Sequence, residues 1–503
     1  MYNGYKNEND VKVSFETALD LAGFGLYSYN LTALTGFIII AYACISFGTT
    51  MIIPTSACEL KTTNAQQGFI AAGPLVGIIL GGVIGGYLGD KFGRRRMMFV
   101  SLLSASVVNA LASISVDWIM LLILQSIASF CAAGMYSLSM TMLSESVPVA
   151  KRNLVVLIVT SIFLMAQGIM AVMAIPIIPL SFSIYLPSLG IHWNSWRLLV
   201  LVYSVPGLLA AVWLLTVKES PKYIYTQGKE QEAIDIIKSM HRMNKGKSAE
   251  DLHITGLMYN AQQSFGPSST KEQIVPLFKT PLLKYTIIMT ILFVFQQVGA
   301  FGIWLPTIAN QFVQIVETGK STDQSLCSIL STTIDTPPDP NAVPCSLNVT
   351  SLLFVLLVGA LRSIVNGLLG LIINRVGRRN MAMAVALVCG LAGIITNLIP
   401  NAFGSAAFFV IFTLGILIVG LYTAITVALF PTNLRALAVA LTMTGGRIGN
   451  FASVQILNLL LEVNCDAGFY LFSSIFASSA IVAAFLPNDK NLQINQAKKE
   501  DCS

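Results

Sequence analysis

Charge is scarce in this chain. Only 11% of its 503 residues are charged and 55% are hydrophobic, whereas a soluble chain carries about 25% charge. The charges are gathered in short blocks, separated by apolar runs of about 20 residues, long enough for a helix to cross a hydrocarbon core of ~30 Å. The composition therefore excludes an ordinary soluble domain and predicts an all-α membrane protein.

The sequence also lacks the motifs of catalysis and of metal or nucleotide binding. Its three histidines, His192, His241 and His253, lie outside the apolar runs, and no Walker pattern is present. We therefore expect no enzyme activity, no cofactor and no metal. The net charge of +6 reflects basic loops that set the membrane topology, not binding to nucleic acid.

No Asp or Glu stands near the middle of any apolar run. Glu145 and Glu462 lie at the ends of runs. Proton relays across membranes use intramembrane Asp, Glu or His, so the sequence disfavours proton symport through a buried carboxylate.

Twelve apolar runs divide into two halves of six. The predicted spans cover residues 34–53, 68–88, 97–115, 118–143, 153–180, 197–217, 283–306, 351–373, 381–399, 405–429, 436–461 and 467–486. The regions are a cytosolic N-terminal arm (1–33), an N-terminal six-helix half (34–217), a cytosolic linker (218–282), a C-terminal six-helix half (283–486) with a far-side loop (307–350), and a cytosolic tail (487–503). Helical periodicity also predicts an amphipathic helix in the linker, over 230–240.

The distribution of basic residues predicts the orientation. With both termini cytosolic, 25 of the 30 Lys and Arg residues fall on the cytosolic side, where membrane proteins carry their excess of basic residues. Lys61, Arg197 and Lys320 fall on the far side. The topology is compatible with the plasma membrane and with a secretory or synaptic-type vesicle.

A basic turn with glycines follows span 2, and a shorter copy follows span 8. The first reads Gly86-Tyr-Leu-Gly-Asp-Lys-Phe-Gly-Arg-Arg-Arg96 and the second Asn374-Arg-Val-Gly-Arg-Arg379. This recurrence indicates a transporter built from two related halves. Glycines let neighbouring helices approach closely, and the arginines can pair with acids at adjacent helix ends, which would latch the cytosolic side. The alternative is that the arginines only set the topology.

In the first half, Glu145 and Glu219 are the expected partners of Arg94 and Arg95. The full set of predicted latch residues is Gly86, Gly89, Asp90, Gly93, Arg94, Arg95, Glu145, Arg152, Glu219, Arg378, Arg379 and Arg435.

Four further stretches accompany these loops: Asn194-Ser-Trp-Arg197, Lys218-Glu-Ser-Pro-Lys222, Pro431-Thr-Asn-Leu-Arg-Ala-Leu-Ala438 and Gly446-Arg-Ile-Gly449. Together with the twelve spans, they resemble the major facilitator superfamily, and within it the branch of synaptic vesicle glycoprotein 2 and of organic ion and sugar transporters. The resemblance implies the major facilitator fold, alternating access around a site near the membrane midplane, and a monomer.

The second half departs from the family's pattern. Asn374 and Ala428 stand where relatives typically carry acids, so Arg375, Arg378, Arg379 and Arg435 lose their expected carboxylates. We hypothesise a latch that is strong in the first half and weak in the second, with the population shifted toward the inward-facing state.

Two arginines lie in the middle of spans, Arg362 in span 8 and Arg447 in span 11. A charge there costs at least ~2.5–3.5 kcal/mol on insertion scales, so each should face the interior and have a partner. The planar guanidinium suits a carboxylate, sulfate or phosphate, which favours a small organic anion as the cargo. The alternative is that the arginines bind backbone carbonyls within the helix packing.

Neutral polar side chains are candidates to line the same cavity. They are Gln125, Tyr136, Gln167, Gln296, Gln297, Trp304, Asn366, Asn450 and Gln455. For each amide, the alternative is a hydrogen bond between helices, worth ~0.6 kcal/mol. The adjacent pair Gln296-Gln297 is the strongest candidate, because one amide can address the cavity and the other a neighbouring helix.

These observations predict a secondary transporter that moves a small organic solute, favoured as an organic anion, across the bilayer by uniport or exchange. One alternative is a receptor or vesicle-trafficking protein that uses this fold without transport. Another is a transporter of sugars or organic cations, although a cation would need an acidic cavity that the spans do not offer.

Four of the eight cysteines lie on the far side, where disulfides persist. Cys327 and Cys345 bracket one loop and are the preferred pair, Cys58 with Cys465 is the second, and four free thiols are the alternative. Asn348-Val-Thr350 is a glycosylation sequon on the same side.

Overall fold

The chain forms a bundle of membrane-length helices. The computed structural model describes residues 12–246, 252, 254–258, 275–280, 282–296, 298–317, 325–328, 347–430 and 434–487. Within these residues, ten helical segments are long and apolar enough to cross a membrane. Two further long helices, Arg94–Ala112 and Arg435–Val463, complete the set of twelve. Each of these two helices begins with an arginine. The twelve-helix expectation is therefore confirmed.

Each half contributes six spans. Spans 1–6 are Leu26–Ser46 with Thr49–Leu60, then Asn64–Phe92, Arg94–Ala112, Trp118–Glu145, Val149–Ala174 and Ser195–Leu214. Spans 7–12 are Leu282–Phe295 with Val298–Glu317, then Val349–Val376, Arg378–Ile395, Ala402–Thr413 continued by Leu414–Leu417 and Ile418–Leu429, then Arg435–Val463 and Cys465–Ala484. We call the end of the bundle with residues 89–96, 145–152, 214–245 and 375–379 the basic end, and the end with residues 57–64, 113–118, 175–195 and 464–466 the opposite end.

Two predicted boundaries differ from the structure by eight residues or more. Span 1 begins at Leu26 instead of residue 34, because Asn244 of the linker accepts hydrogen bonds from the backbone N–H of Tyr27 and Ser28 and so satisfies the first turn. Span 7 continues to Glu317, so the loop predicted from residue 307 starts later than expected.

The arm and the linker pack together at the basic end. Strand β1 (Lys12–Ser14) pairs in parallel with strand β4 (Gly256–Met258), and the helices Phe15–Ala22 and Glu230–Lys245 contact one another. The linker helix buries Ala233, Ile234, Ile237 and Met240, the positions given by its amphipathic pattern. The arm is therefore an ordered layer from Lys12 onward.

Spans 5 and 6 are joined by a short β-hairpin at the opposite end. Span 5 stops at Ala174, before Pro176, which cannot continue the hydrogen-bond ladder of a helix. Strands β2 (Ile184–Leu186) and β3 (Ile191–Trp193) then pair antiparallel, with Tyr185 opposite His192.

Candidate functional site

The two halves meet where small residues let their helices approach. Span 5 lies against span 8, and a Cβ added to Gly359 would lie 3.1 Å from the backbone nitrogen of Gly168. Spans 2 and 11 also meet, at Gly82 in the middle of the bundle and at Gly68 near the opposite end. Four of the candidates, Gln167, Arg362, Asn366 and Arg447, lie along these two contacts.

Gln167 of span 5 bridges two spans of the other half. Its Oε1 accepts a hydrogen bond of 3.1 Å from Arg362 Nη1, and its Nε2 donates to the carbonyl of Gly302 at 2.7 Å. Arg362 is 4% exposed, and its Nε has no hydrogen-bond partner. The amide therefore solvates one edge of the guanidinium, but no carboxylate neutralises its charge within the described residues.

Arg447 of span 11 points at the N-terminal half. Its Nη1 lies 3.0 Å from where a Cβ on Gly82 would stand, so a side chain at position 82 would displace the guanidinium. The charge interacts electrostatically with the hydroxyls of Tyr42 and Tyr136. Arg447 is half-buried and forms no hydrogen bond or ion pair in the part of the chain that the structure describes.

Four aromatic rings form a wall on this side of the interface. The wall consists of Tyr42 and Phe47 of span 1, Tyr136 of span 4 and Phe163 of span 5. Ring centroids are 5.4 Å apart for Tyr136 and Phe163, and 6.0 Å apart for Tyr42 and Tyr136. Two of these rings, Tyr42 and Tyr136, carry the hydroxyl groups on which the charge of Arg447 acts.

Three further candidates have either a buried polar atom without a hydrogen-bond partner or a side-chain hydrogen bond that a solute could replace. The Nε1 of Trp304 is buried without a partner, as is Oδ1 of Asn450. Asn366 donates to Ser161 Oγ across the halves at 3.0 Å. Each could exchange its present environment for a bound solute.

The helix of span 7 is interrupted at Gln296. The helices end at Phe295 and resume at Val298, and Gln296, between them, is half-buried. Gln297 lies outside the described residues. Broken helices at membrane depth are tolerated where they line a cavity or are buried in protein.

Gln125 does not belong to the cavity, and its prediction is wrong. It is fully buried within the N-terminal half, where its Nε2 donates to Asn109 Oδ1 at 3.0 Å. Asn109 in turn donates to Ser204 Oγ. Gln125 therefore belongs to a hydrogen-bond network between spans 3, 4 and 6. This is the alternative role, a hydrogen bond between helices, that the sequence leaves open for each amide.

The opposite end is held together by amides of span 11. Gln455 Nε2 donates to the carbonyl of Gly68 at 3.0 Å, and Asn458 Nδ2 donates to the carbonyl of Asn64 at 2.8 Å. Both acceptors lie in the first turns of span 2. Gln455 is thus a contact between the halves and not a lining residue of the cavity.

At the basic end, the predicted ion pair between Arg94 and Glu145 is present. Arg94 Nε lies 3.4 Å from Glu145 Oε2, and its Nη2 lies 3.0 Å from Asp90 Oδ1. Glu145 also accepts a hydrogen bond of 2.6 Å from Ser220 Oγ, and the guanidinium stacks over Tyr223. These contacts tie spans 2, 3 and 4 to the end of span 6, all within one half.

Arg95 and Glu219 interact differently from the prediction. Both carboxylate oxygens of Glu219 accept from the backbone N–H of Arg95, at 3.0 and 3.1 Å, because the start of span 3 offers free N–H groups. The guanidinium of Arg95 donates instead to the carbonyls of Leu214 and Leu215. Gly93 is required here, since its φ of 102° is unfavourable for other residues.

Of the other predicted latch residues in the first half, Gly89 and Arg152 make close contacts and Gly86 does not. Gly89 packs tightly on Leu138, but nothing lies within 4 Å of a Cβ placed on Gly86, so the close approach predicted at Gly86 is wrong. Arg152 pairs with Glu16 of the arm at 3.0 Å.

In the second half, arginines bond to carbonyls. Arg378 donates to Ala424 O and Arg379 to Leu486 O. The side chain of Arg435 lies outside the described residues.

The predicted disulfide pairs are wrong. Cys327 is bonded to Cys465, 138 residues away, which joins the loop after span 7 to the start of span 12. Cys58 is also in a disulfide, and Cys345 lies outside the described residues. Asn348 is the N-cap of span 8, with its Oδ1 accepting from the backbone of Thr350; its glycosylation stays a prediction.

A buried polar cluster at the opposite end was missed by sequence reasoning. Arg197 is fully buried and pairs with Glu59 at 2.7 Å, while donating to the carbonyls of Ser113 and Ser115. Glu59 also accepts from Trp196 Nε1. The signal was present, since Glu59 is an acid close to the end of span 1.

The twelve spans, the two halves and the polar groups between them are the architecture of a membrane transport protein. The pattern described as Major Facilitator Superfamily matches residues 38–454, and the chain belongs to that family, whose members are transporters and not enzymes.

Similar proteins agree with this placement. The mouse protein SVOPL is 22% identical over 477 residues, which are 94% of this chain and 91% of that protein. Mouse synaptic vesicle glycoprotein 2B is 27% identical over 240 residues, which are 48% of this chain but 35% of that protein. The inward-open xylose transporter XylE of E. coli matches with a TM-score of 0.65 at 16% identity, over 94% of this chain and 99% of XylE.

Proposed function

We propose that this protein transports a small organic anion by alternating access, as a uniporter or exchanger, with its basic end in the cytosol. The observation that carries the proposal is Arg447. Its charge lies between the halves, beside Gly82 of span 2, without an acid or a hydrogen-bond partner among the described residues.

The chemistry of the interface supports an anionic cargo. A guanidinium binds a carboxylate, sulfate or phosphate with paired, charge-assisted hydrogen bonds, and such a ligand would supply the counter-charge that Arg447 lacks. Arg362 adds a second positive charge, whose side-chain partner among the described residues is an amide. No Asp or Glu stands at mid-span to attract a cation or to carry a proton.

Gln167 links the cargo to movement of the halves. It bonds to Arg362 and to Gly302, both of the other half. An anion that bound Arg362 would compete for the hydrogen bond to Gln167 and loosen this bridge. Binding would therefore change the contact between the halves, which is the requirement for a coupled conformational change.

Uptake into proteoliposomes tests the proposal. A panel of monocarboxylates, sulfate esters, phosphate esters and neutral sugars should give flux for an anionic class. Arg447→Gln should abolish that flux and Arg447→Lys should retain part of it, because lysine keeps the charge but loses the planar fork. Arg96→Gln, at an exposed arginine of the first basic turn, is the matched control and should leave flux unchanged.

A neutral solute is the second candidate. Trp304 Nε1 and Asn450 Oδ1 are a buried donor and acceptor without partners, the kind of groups that hydroxyls would satisfy, and XylE is a xylose transporter by its name. Flux of a sugar that survives Arg447→Gln would favour this reading. A folded protein with no flux from any class would favour a non-transporting receptor or vesicle-trafficking role.

A further inference from the structure

The connection between spans 5 and 6 is unusually apolar for a segment outside the spans. The chain contains no Asp, Glu, Lys or Arg from Asn153 to Trp196. This stretch includes the turn after span 5, both strands β2 and β3 and the tip between them. The loop after span 1, at the same end of the bundle, carries Glu59 and Lys61 within a few residues.

The hairpin is anchored at its base and exposed along its length. Ile191 and the preceding Ile178 are buried, and Arg197 donates to the carbonyl of His192, which fixes the end of β3 to span 6. By contrast, Ile184 is 59% exposed and Tyr185 56% exposed. A rigid two-stranded element therefore presents large apolar side chains away from the bundle.

The exposed set continues onto both sides of the hairpin. Leu180 before β2 and Leu189 at the tip are 45% and 41% exposed. Val172, on the last turn of span 5, is also 45% exposed. The exposed apolar surface of the hairpin is thus continuous along the chain with exposed apolar surface of a membrane-length helix.

The reach of the chain places the hairpin at the membrane boundary. The tip at Gly190 is five residues from Ser195, where span 6 begins, so it lies within ~17 Å of that point even if fully extended. The headgroup regions occupy the outer ~5–8 Å on each side of the hydrocarbon core. A hairpin folded against the bundle end can therefore lie in this layer, where aromatic residues such as Tyr185 and Trp193 are favoured.

We propose that this hairpin inserts into the lipid headgroup layer at the opposite end of the bundle and anchors the span 5–span 6 connection to the bilayer. The occupant of its apolar surface is lipid, because the segment has no Asp, Glu, Lys or Arg, exposes isoleucine, leucine and tyrosine, and continues the exposed apolar surface of span 5, a membrane-length helix. An interfacial hairpin of this kind holds the end of span 5 at a fixed depth while the halves move.

Photo-crosslinking tests this proposal. The full chain, with p-benzoylphenylalanine in place of Tyr185, is reconstituted in phosphatidylcholine liposomes and irradiated, and adducts are identified by intact mass. The same probe at Val172 is the lipid-facing reference. The probe at Lys229, exposed on the linker layer at the basic end, is the water-facing control.

We expect a phosphatidylcholine adduct at Tyr185 at a level comparable with that at Val172, and none at Lys229. In the same background, Ile184→Asp with Leu189→Asp should remove the adduct at Tyr185, since two carboxylates in place of apolar side chains remove the surface that would contact acyl chains, where a charge is costly. Absence of a lipid adduct at Tyr185, or cross-linking to a second protein chain in its place, would overturn the proposal.

Discussion

The closure of the opposite end depends on two neutral amides, which gives a direct way to shift the conformational equilibrium. Gln455 and Asn458 donate to backbone carbonyls of Gly68 and Asn64 across the halves. We predict that Gln455→Leu with Asn458→Leu opens this end, because both hydrogen bonds join the halves in the observed state and are lost when the halves separate there.

The magnitude follows from the two bonds. A typical intramolecular hydrogen bond contributes about 0.5–1.5 kcal/mol net. The Gln455 bond is partly buried and the Asn458 bond is exposed, so we expect about 1–2 kcal/mol in total. With 1.4 kcal/mol per factor of ten, the outward-open population should rise by about 5–30-fold.

Distance measurements between spin labels at Ala65 and Val463 report this opening. Both positions are exposed at the opposite end; the free cysteines Cys44, Cys131 and Cys389 would first be replaced by alanine. We expect a second, longer distance to gain population in the double variant.

The matched control is Asn401→Leu. Asn401 caps span 10 at the same end but bonds within its own half, so it should lower stability without lengthening the distance. An unchanged distance distribution in the double variant would refute the assignment of these amides to the closure.

Three further outcomes are expected. Glu59→Gln should lower the free energy of unfolding by about 3 kcal/mol, seen as earlier thermal unfolding, because it leaves the buried arginine of span 6 without its carboxylate. Cys465→Ser should make Cys327 reactive to a thiol reagent under non-reducing conditions; an unreactive Cys327 would contradict the pairing. Asn374→Asp with Ala428→Glu should strengthen the latch of the second half and lengthen the spin-label distance at the opposite end, whereas an unchanged distance would remove the hypothesis of a lopsided latch.

The architecture was largely predictable because the apolar runs and the basic loops are local signals. A run of about 20 apolar residues requires a membrane helix, and the repeated basic turn indicated two related halves. The pair of Arg94 and Glu145 also followed from local sequence, since the end of span 4 supplies one acid beside the loop.

The errors came from partners that only packing brings together. Gln125 looked like a cavity residue, but Asn109 of span 3 occupies its amide. Cys327 and Cys345 are close in sequence, yet Cys327 is bonded to Cys465 across 138 residues. In each case the true partner lies on another helix and is brought close only by the packing of the helices. The sequence does not show which helices pack together.

The carboxylate of Glu219 illustrates a different kind of error. A guanidinium is the obvious partner for an acid, and Arg95 stands beside it. The backbone N–H of Arg95 takes the carboxylate instead, because the first N–H groups of a helix need acceptors and favour negative charge. The sequence therefore predicted that Glu219 and Arg95 interact, but not that the backbone N–H of Arg95, in place of its guanidinium, is the donor.

Whether Arg447 binds the negative charge of the cargo can be tested by comparing the binding of an anion with that of its uncharged amide. Once an anionic substrate is found in the uptake panel, its dissociation constant is measured beside that of its uncharged amide, for the parent and for Arg447→Gln. We predict that the parent protein binds the anion at least tenfold more tightly than the amide, which is about 1.4 kcal/mol, and that Arg447→Gln loses this preference. Equal preference in the parent and the variant would contradict it.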